Sequence, residues 1–137
     1  MKVFIDTGAF IAYFIKQEKY HDDVVSKYKL YRKQKATLLT SDYILDELMT
    51  WFCAKQNKHI LEKLIAALQK MQEGKEVKVL SVDQIIFKKA QDVLLKFSEH
   101  KISFTDATSY VLYKDFSIDE VFTLDNDFRK IRVNTSF

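Results

Sequence analysis

The chain of 137 residues has no proline, two glycines, one cysteine and three histidines. Without proline, its helices must end at Gly8, at Gly74 or at polar capping residues. A lone Cys53 excludes a disulfide within the chain and a thiolate metal cluster, and is expected to be a small apolar residue on a helix. His21, His59 and His100 lie in polar surroundings without paired spacing, which argues against zinc. No run reaches the uncharged length of a membrane span, so no membrane partner is expected. The opening MKVFIDTGAFIAYFIK has a lysine and an apolar run, as a signal peptide does. Asp6 interrupts that run and no small-residue cleavage site follows, so a cytoplasmic location is expected. There is no repeat, low-complexity tract or Gly/Ser-rich linker.

What is present suits one domain spanning 1–137. An apolar fraction of 47% and an aromatic fraction of 14% allow enough burial to offset the entropy of ordering. Net charge is only +3, which permits a polyanionic substrate without requiring one. Basic residues are bunched at Lys27, Lys29, Arg32, Lys33 and Lys35, and again at Arg129, Lys130 and Arg132. The second bunch follows Asp125 and Asp127 directly. At least one of its members is expected to reach a substrate phosphate.

Val3–Ile5 reads as a strand that runs at once into a helix from about residue 9 to 15. Val24, Val25, Tyr28 and Tyr31 mark a helix over about 22–34, and 35–39 suits a strand. Thr40-Ser41-Asp42 can cap a helix over about 43–56, whose apolar arc holds Ile44, Leu45, Leu48, Trp51 and Phe52. Ile60, Leu61, Leu64, Ile65, Leu68 and Met71 form the stripe of another helix, with Gly74 as its stop. A strand at Val77–Leu80, a helix capped by Ser81 or Asp83 and running to about Phe97, and a helix opening at Ser103 follow. EVFTL reads as a fourth strand, and Ile131–Val133 as a candidate fifth. Strands separated by helical crossovers predict an α/β three-layer sandwich around a parallel sheet of four to five strands.

Acidic residues sit where such a sheet places ligands, beyond the carboxyl ends of its strands. Asp6 ends the first strand, Asp125 ends EVFTL, and Asp106 lies in a first helical turn. Glu47 lies at the edge of its helix's apolar arc, able to face a cleft, while Asp46 points to water. Clustered carboxylates repel unless a cation offsets them, and hard oxygen donors suit Mg²⁺ or Mn²⁺. Each residue also has a plain structural reading. Asp6 is a helix cap, Glu47 an ordinary surface glutamate, Asp106 half of a capping box with Ser103, and Asp125 the start of an Asx turn. A small-molecule phosphohydrolase with an aspartyl nucleophile usually carries a second Asp two residues on, where this chain has Gly8.

Four segments together resemble the PIN domain family: VFIDTGAFIAYF with Asp6, TSDYILDEL with Glu47, SFTDATSYVL with Asp106 and VFTLDNDF with Asp125. Their order and distances resemble the family over nearly the whole chain. The resemblance implies Mg²⁺- or Mn²⁺-dependent hydrolysis of RNA phosphodiesters without a covalent enzyme intermediate. It implies that Asp6, Glu47, Asp106 and Asp125 are catalytic and metal-binding. Thr7, Thr123 and Asp127 are the expected supports. Gly8 stands where the family often has Ser or Asn, so a hydroxyl is missing there. Among small PIN proteins the chain resembles the VapC-like toxins of toxin–antitoxin pairs, which implies an antitoxin partner and a homodimer. Two other readings remain open at this point: a housekeeping RNA-processing PIN nuclease and a non-catalytic PIN-like binding module.

Overall fold

The first strand, β1 (Lys2–Ile5), has Val3, Phe4 and Ile5 almost wholly buried, as befits a strand covered on both faces. A computed structural model describing residues 1–137 places it between β2 (Thr37–Ser41) and β4 (Glu120–Phe122). Outside β2 lies β3 (Val77–Leu80), so the order is β3-β2-β1-β4 and every pairing is parallel. Phe4 stands beside Leu39 on one side and Val121 on the other. The chain thus steps outward from β1 through β2 to β3, then returns to place β4 on the opposite side. The reversal point lies between β1 and β4.

Helices flank the sheet: α1 (Thr7–Phe14), α2 (His21–Lys33), α3 (Asp42–Lys55), α4 (Lys58–Glu73), α5 (Gln84–Lys96), α6 (Phe104–Asp115) and the short α7 (Asp127–Lys130). Their starts follow cap chemistry. Ser41 accepts the Ile44 amide, Asn57 the Ile60 amide and Asp83 the Ile86 amide. Their inner faces follow the apolar stripes: Ile44, Leu45, Leu48 and Phe52 are buried on α3, Leu64 and Leu68 on α4. Tyr28 and Tyr31 of α2 point inward, and their hydroxyls donate to Glu76 and Glu120, just before β3 and at the start of β4. No helix is long and apolar enough to cross a membrane.

Several expectations change. The sheet has four strands: residues 131–133 form a turn, with Arg132 at a φ of 62°, and only Thr135 bridges to Val121. Arg132 is therefore exposed by a left-handed turn, rather than by strand alternation. The second strand begins at Thr37, because Lys35 takes a φ of 56° and turns the chain after α2. Gly74 follows α4 as expected, but its φ is −75°, and the left-handed residue is Lys75 at 56°. Cys53 lies on α3 but is exposed.

Candidate metal site

Asp6 is the first residue beyond central strand β1, and Asp125 lies three residues beyond β4. Both therefore emerge at the reversal point of the sheet, where open α/β folds form a crevice. The start of α6 brings in Asp106, the inner edge of α3 brings in Glu47, and the first residue of α7 brings in Asp127. All five carboxylates line one cleft of about 540 Å³. Carboxylate oxygens of Asp106, Asp125 and Asp127 lie within 4.8 Å of one another, while Asp6 and Glu47 line the cleft outside that trio.

Hydroxyls fix several of these groups. Thr123 Oγ1 accepts the Asp125 amide at 2.9 Å and donates to Asp6 Oδ2 at 2.7 Å. Since it accepts from the amide, its one proton is committed to Asp6, and the two acidic positions are tied through one threonine. Thr7 Oγ1 donates to Glu47 Oε1 at 2.7 Å, holding the glutamate at the cleft. The plain structural readings fare differently. Asp6 sits at the N-cap of α1 but makes no side-chain cap bond. Asp106 does close a capping box with Ser103, and Asp125 does accept the Asp127 amide in an Asx-type turn. Those bonds orient two carboxylates that also line the cleft.

Electrostatics set this group apart. Burial, reinforced by the neighbouring Asp106 and Asp125 charges, pushes the Asp6 carboxyl up to about 7 despite the Thr123 bond. Burial likewise pushes Asp106 up to about 6, with Asp125 and Asp127 adding to the rise. Of the four salt bridges in the molecule, only Lys130 to Asp127, at 3.1 Å, reaches the cleft. Five carboxylates facing so little positive charge suit a hard divalent cation, and all the donors are oxygen.

Asp46 is exposed on the far side of α3. The basic residues after the cleft separate. Lys130 pairs with Asp127, Arg129 donates to Thr135 Oγ1 and lines an adjoining pocket, and Arg132 lines neither. Lys101 was missed by sequence reasoning. It is the one basic residue lining the acidic cleft, held at a φ of 53° after a 3₁₀ turn at Ser98–His100. No spacing rule marks such a position; only the tertiary placement of that turn does.

The PIN domain profile matches residues 3–134, and the chain belongs to the PIN domain family. Solved structures agree on the fold. VapC20 of Mycobacterium tuberculosis, described as a toxin that cleaves the sarcin-ricin loop, superposes with a TM-score of 0.80 at 21% identity, over 96% of this chain and 95% of that one. VapBC2 of Rickettsia felis, solved bound to a DNA fragment from its promoter, gives 0.76 at 12% identity, over 99% and 98%. FitAcB of Neisseria gonorrhoeae gives 0.71 at 18% identity, over 97% and 95%. No curated protein matches by sequence.

Proposed function

We propose that this protein is a Mg²⁺- or Mn²⁺-dependent endoribonuclease and the toxin of a toxin–antitoxin pair. The observation that carries the reading is the meeting of five carboxylates, nearly free of cations, at the reversal point of a parallel sheet. Family membership and the toxin named among the similar folds support it.

In this reading Asp6, Asp106 and Asp125 hold the cation, Glu47 joins them directly or through water, and Asp127 belongs with the ligands because of its place in the close trio. A bound cation supplies a more acidic water and stabilises negative charge on the phosphodiester. Thr123 and Thr7 keep the Asp6 and Glu47 oxygens aimed, so little reorganisation is needed on reaction. Hydrolysis joins a water oxygen to phosphorus and breaks the bond to one ribose oxygen; a cleft carboxylate takes the water's proton, and the departing oxygen takes a proton from solvent and leaves as a hydroxyl. Arg129 and Lys130, beside the cleft, draw the substrate phosphates, with Arg132 further out.

The partner would be a small antitoxin protein that covers the cleft. A homodimer would bury part of the α3–α4 hairpin, where Met49 and Ile65 are exposed and Trp51, Ile60 and Leu61 half-buried. Sedimentation at micromolar concentration reads that assembly directly, and a monomer there removes it. The test of the chemistry is cleavage of a cellular RNA pool with Mg²⁺ or Mn²⁺. Asp6→Asn should lose roughly 10²-fold or more, by analogy with removal of one preorganised stabilising group. Asp46→Asn should match the parent. Full activity in Asp6→Asn, or equal loss in both, would show the site to be drawn wrongly.

A further inference from the structure

A second pocket of about 270 Å³ adjoins the acidic cleft, and Leu124 and Asp125 line both. Its other walls come from the α1–α2 loop, the start of α2, the loop before α7 and the final residues of the chain. Two large aromatic side chains line it, Tyr20 and Phe137, and they are 45% and 42% exposed. Most other aromatics of the chain are buried or half-buried in the core, so two at one pocket mouth stand apart. Arg129 Nε donates to Thr135 Oγ1 at 3.2 Å and both residues line the pocket, which holds the guanidinium against its wall. The ammonium of Lys19 lies 5.2 Å from the Tyr20 ring centroid, adding a second cation on the outer side.

We propose that this pocket binds one unpaired nucleobase next to the phosphodiester held at the acidic cleft, and that it prefers guanine. The proposal rests on the ribonuclease reading and names the part of the substrate that sets where it is cut. Size is the first argument. The pocket falls just below the roughly 300–1,000 Å³ of sites that enclose drug-sized ligands, so it suits a single ring system. Charge is the second. With Asp125 turned to the cation, Asp23 and Arg129 are the remaining charges lining it, so the interior carries no net positive charge to draw a phosphate in and suits a neutral base. Aromatic rings at the mouth stack on any base, and Arg129 and Lys19 meet the flanking phosphates. Guanine is favoured because its Watson–Crick edge presents two adjacent N–H donors, which match the two oxygens of the Asp23 carboxylate; uracil presents one. Asn126 adds an amide at the same wall.

Fluorescent tetranucleotides of RNA test this, each carrying guanosine, uridine or an abasic nucleotide at one position. They are titrated by anisotropy with Ca²⁺ in place of Mg²⁺ or Mn²⁺, and the same RNAs are then assayed for cleavage with Mg²⁺. At one position, guanosine should bind about tenfold more tightly than the abasic nucleotide, the scale of one base–aromatic stack, and more tightly than uridine. Tyr20→Ala and Phe137→Ala should each shrink that difference, while Tyr20→Phe, which keeps the ring, should retain it. The proposal is overturned if no position distinguishes guanosine from uridine and the abasic nucleotide, or if the difference survives both alanine variants. Cleavage without any base effect removes the pocket and leaves the ribonuclease reading standing. A base effect without cleavage does the reverse.

Discussion

The two ends of the sheet carry opposite charges and treat them differently. At the carboxyl end, five carboxylates share a cleft of about 540 Å³ with Lys101, and Asp6 is buried there without a salt bridge. At the amino end of β2 and β3, a larger cleft of about 710 Å³ is lined by Arg32, Lys35, Lys75 and Lys78, with Glu76 among them. Its one acid is satisfied twice over, by Arg32 at 3.4 Å and by the Tyr28 hydroxyl. Its lysines are exposed on long flexible stems. The smaller cleft holds desolvated charge that raises its own carboxyl pKa values, while the larger holds solvated charge. Stored electrostatic work, and not volume, is what sets the candidate site apart from the other end of the sheet.

The largest effect should come from breaking that asymmetry at the acidic end. Asp106→Asn removes one charge while the amide oxygen can still accept the Ser103 amide of the capping box. RNA cleavage should fall by roughly 10²-fold or more, the scale of losing one preorganised group. A Lys35→Ala/Lys78→Ala double variant should cleave within about twofold of the parent, because surface charges far from a site are screened over about 8 Å at physiological salt. Equal losses would mean that the basic cleft also serves the reaction.

Next is the dependence of stability on pH in metal-free protein. Asp6 titrates near 3.8 when unfolded and at about 7 when folded. Well below pH 3.8 it is protonated in both states. As pH rises towards 7, the unfolded chain ionises first, so stability is present at low pH and is lost over that window. At about 1.4 kcal/mol per pKa unit the loss is of the order of 4 kcal/mol. Asp6→Asn should make the profile shallower, with the remaining slope due to Asp106, which burial raises to about 6, and Mg²⁺ or Mn²⁺ should restore stability at pH 8 in the parent more than in the variant. Urea melts across pH, with and without the cation, measure both. A flat profile in metal-free parent would show that Asp6 is not desolvated.

A smaller effect concerns salt. If Arg129, Lys130 and Arg132 meet phosphates, their triple alanine variant should lower the salt slope of single-stranded RNA binding by about 0.7 for each phosphate no longer neutralised. The Lys35→Ala/Lys78→Ala variant should leave that slope unchanged. The opposite result would move the substrate path to the other end of the sheet.

The sequence carried the acidic end more fully than the basic one, for physical reasons. Asp6, Asp106 and Asp125 lie at boundaries between apolar runs and caps, and Glu47 at the edge of a helical arc, so periodicity sets where each stands on its element, while their reading as one site comes from the four-segment resemblance. Asp127 read as a support, yet it completes the close trio, because the Asx-type turn in which Asp125 accepts its amide folds it back at the head of the four-residue α7. Four residues are too few for a periodic signal. The sheet stops at four strands because Ile131 and Val133, the candidate fifth, are buried around a left-handed Arg132, giving alternation without a strand. Lys101 and the basic cleft depend on turns that glycine usually announces. Here Lys35, Lys75, Lys101, Ser117 and Arg132 all have positive φ, and neither glycine does.

That use of lysine where glycine is usual gives the smallest and most discriminating comparison. A left-handed backbone costs an ordinary L-residue roughly 1–2 kcal/mol, because Cβ crowds the following carbonyl. Glycine escapes this but adds about 0.4–1 kcal/mol of unfolded-state entropy to be lost on folding. Lys75→Gly should therefore stabilise the protein by about 0.5 kcal/mol, read as a higher urea midpoint with unchanged slope. The neighbouring Gly74→Ala should gain little, since alanine adopts the φ of −75° there freely but its Cβ would lie 3.2 Å from the Lys70 backbone carbonyl oxygen, and that crowding offsets the entropic gain. Lys101→Gly, at a φ of 53°, should gain about as much stability as Lys75→Gly by the same backbone argument. The two should then part in function. Lys75 lines the solvated basic cleft, so its removal leaves cleavage at the parental rate. Lys101 is the basic side chain lining the acidic cleft, so its removal should weaken RNA binding there and raise KM. Equal stability gains with unequal KM would separate backbone relief from charge. Equal KM in both variants would show that Lys101 is only another turn residue.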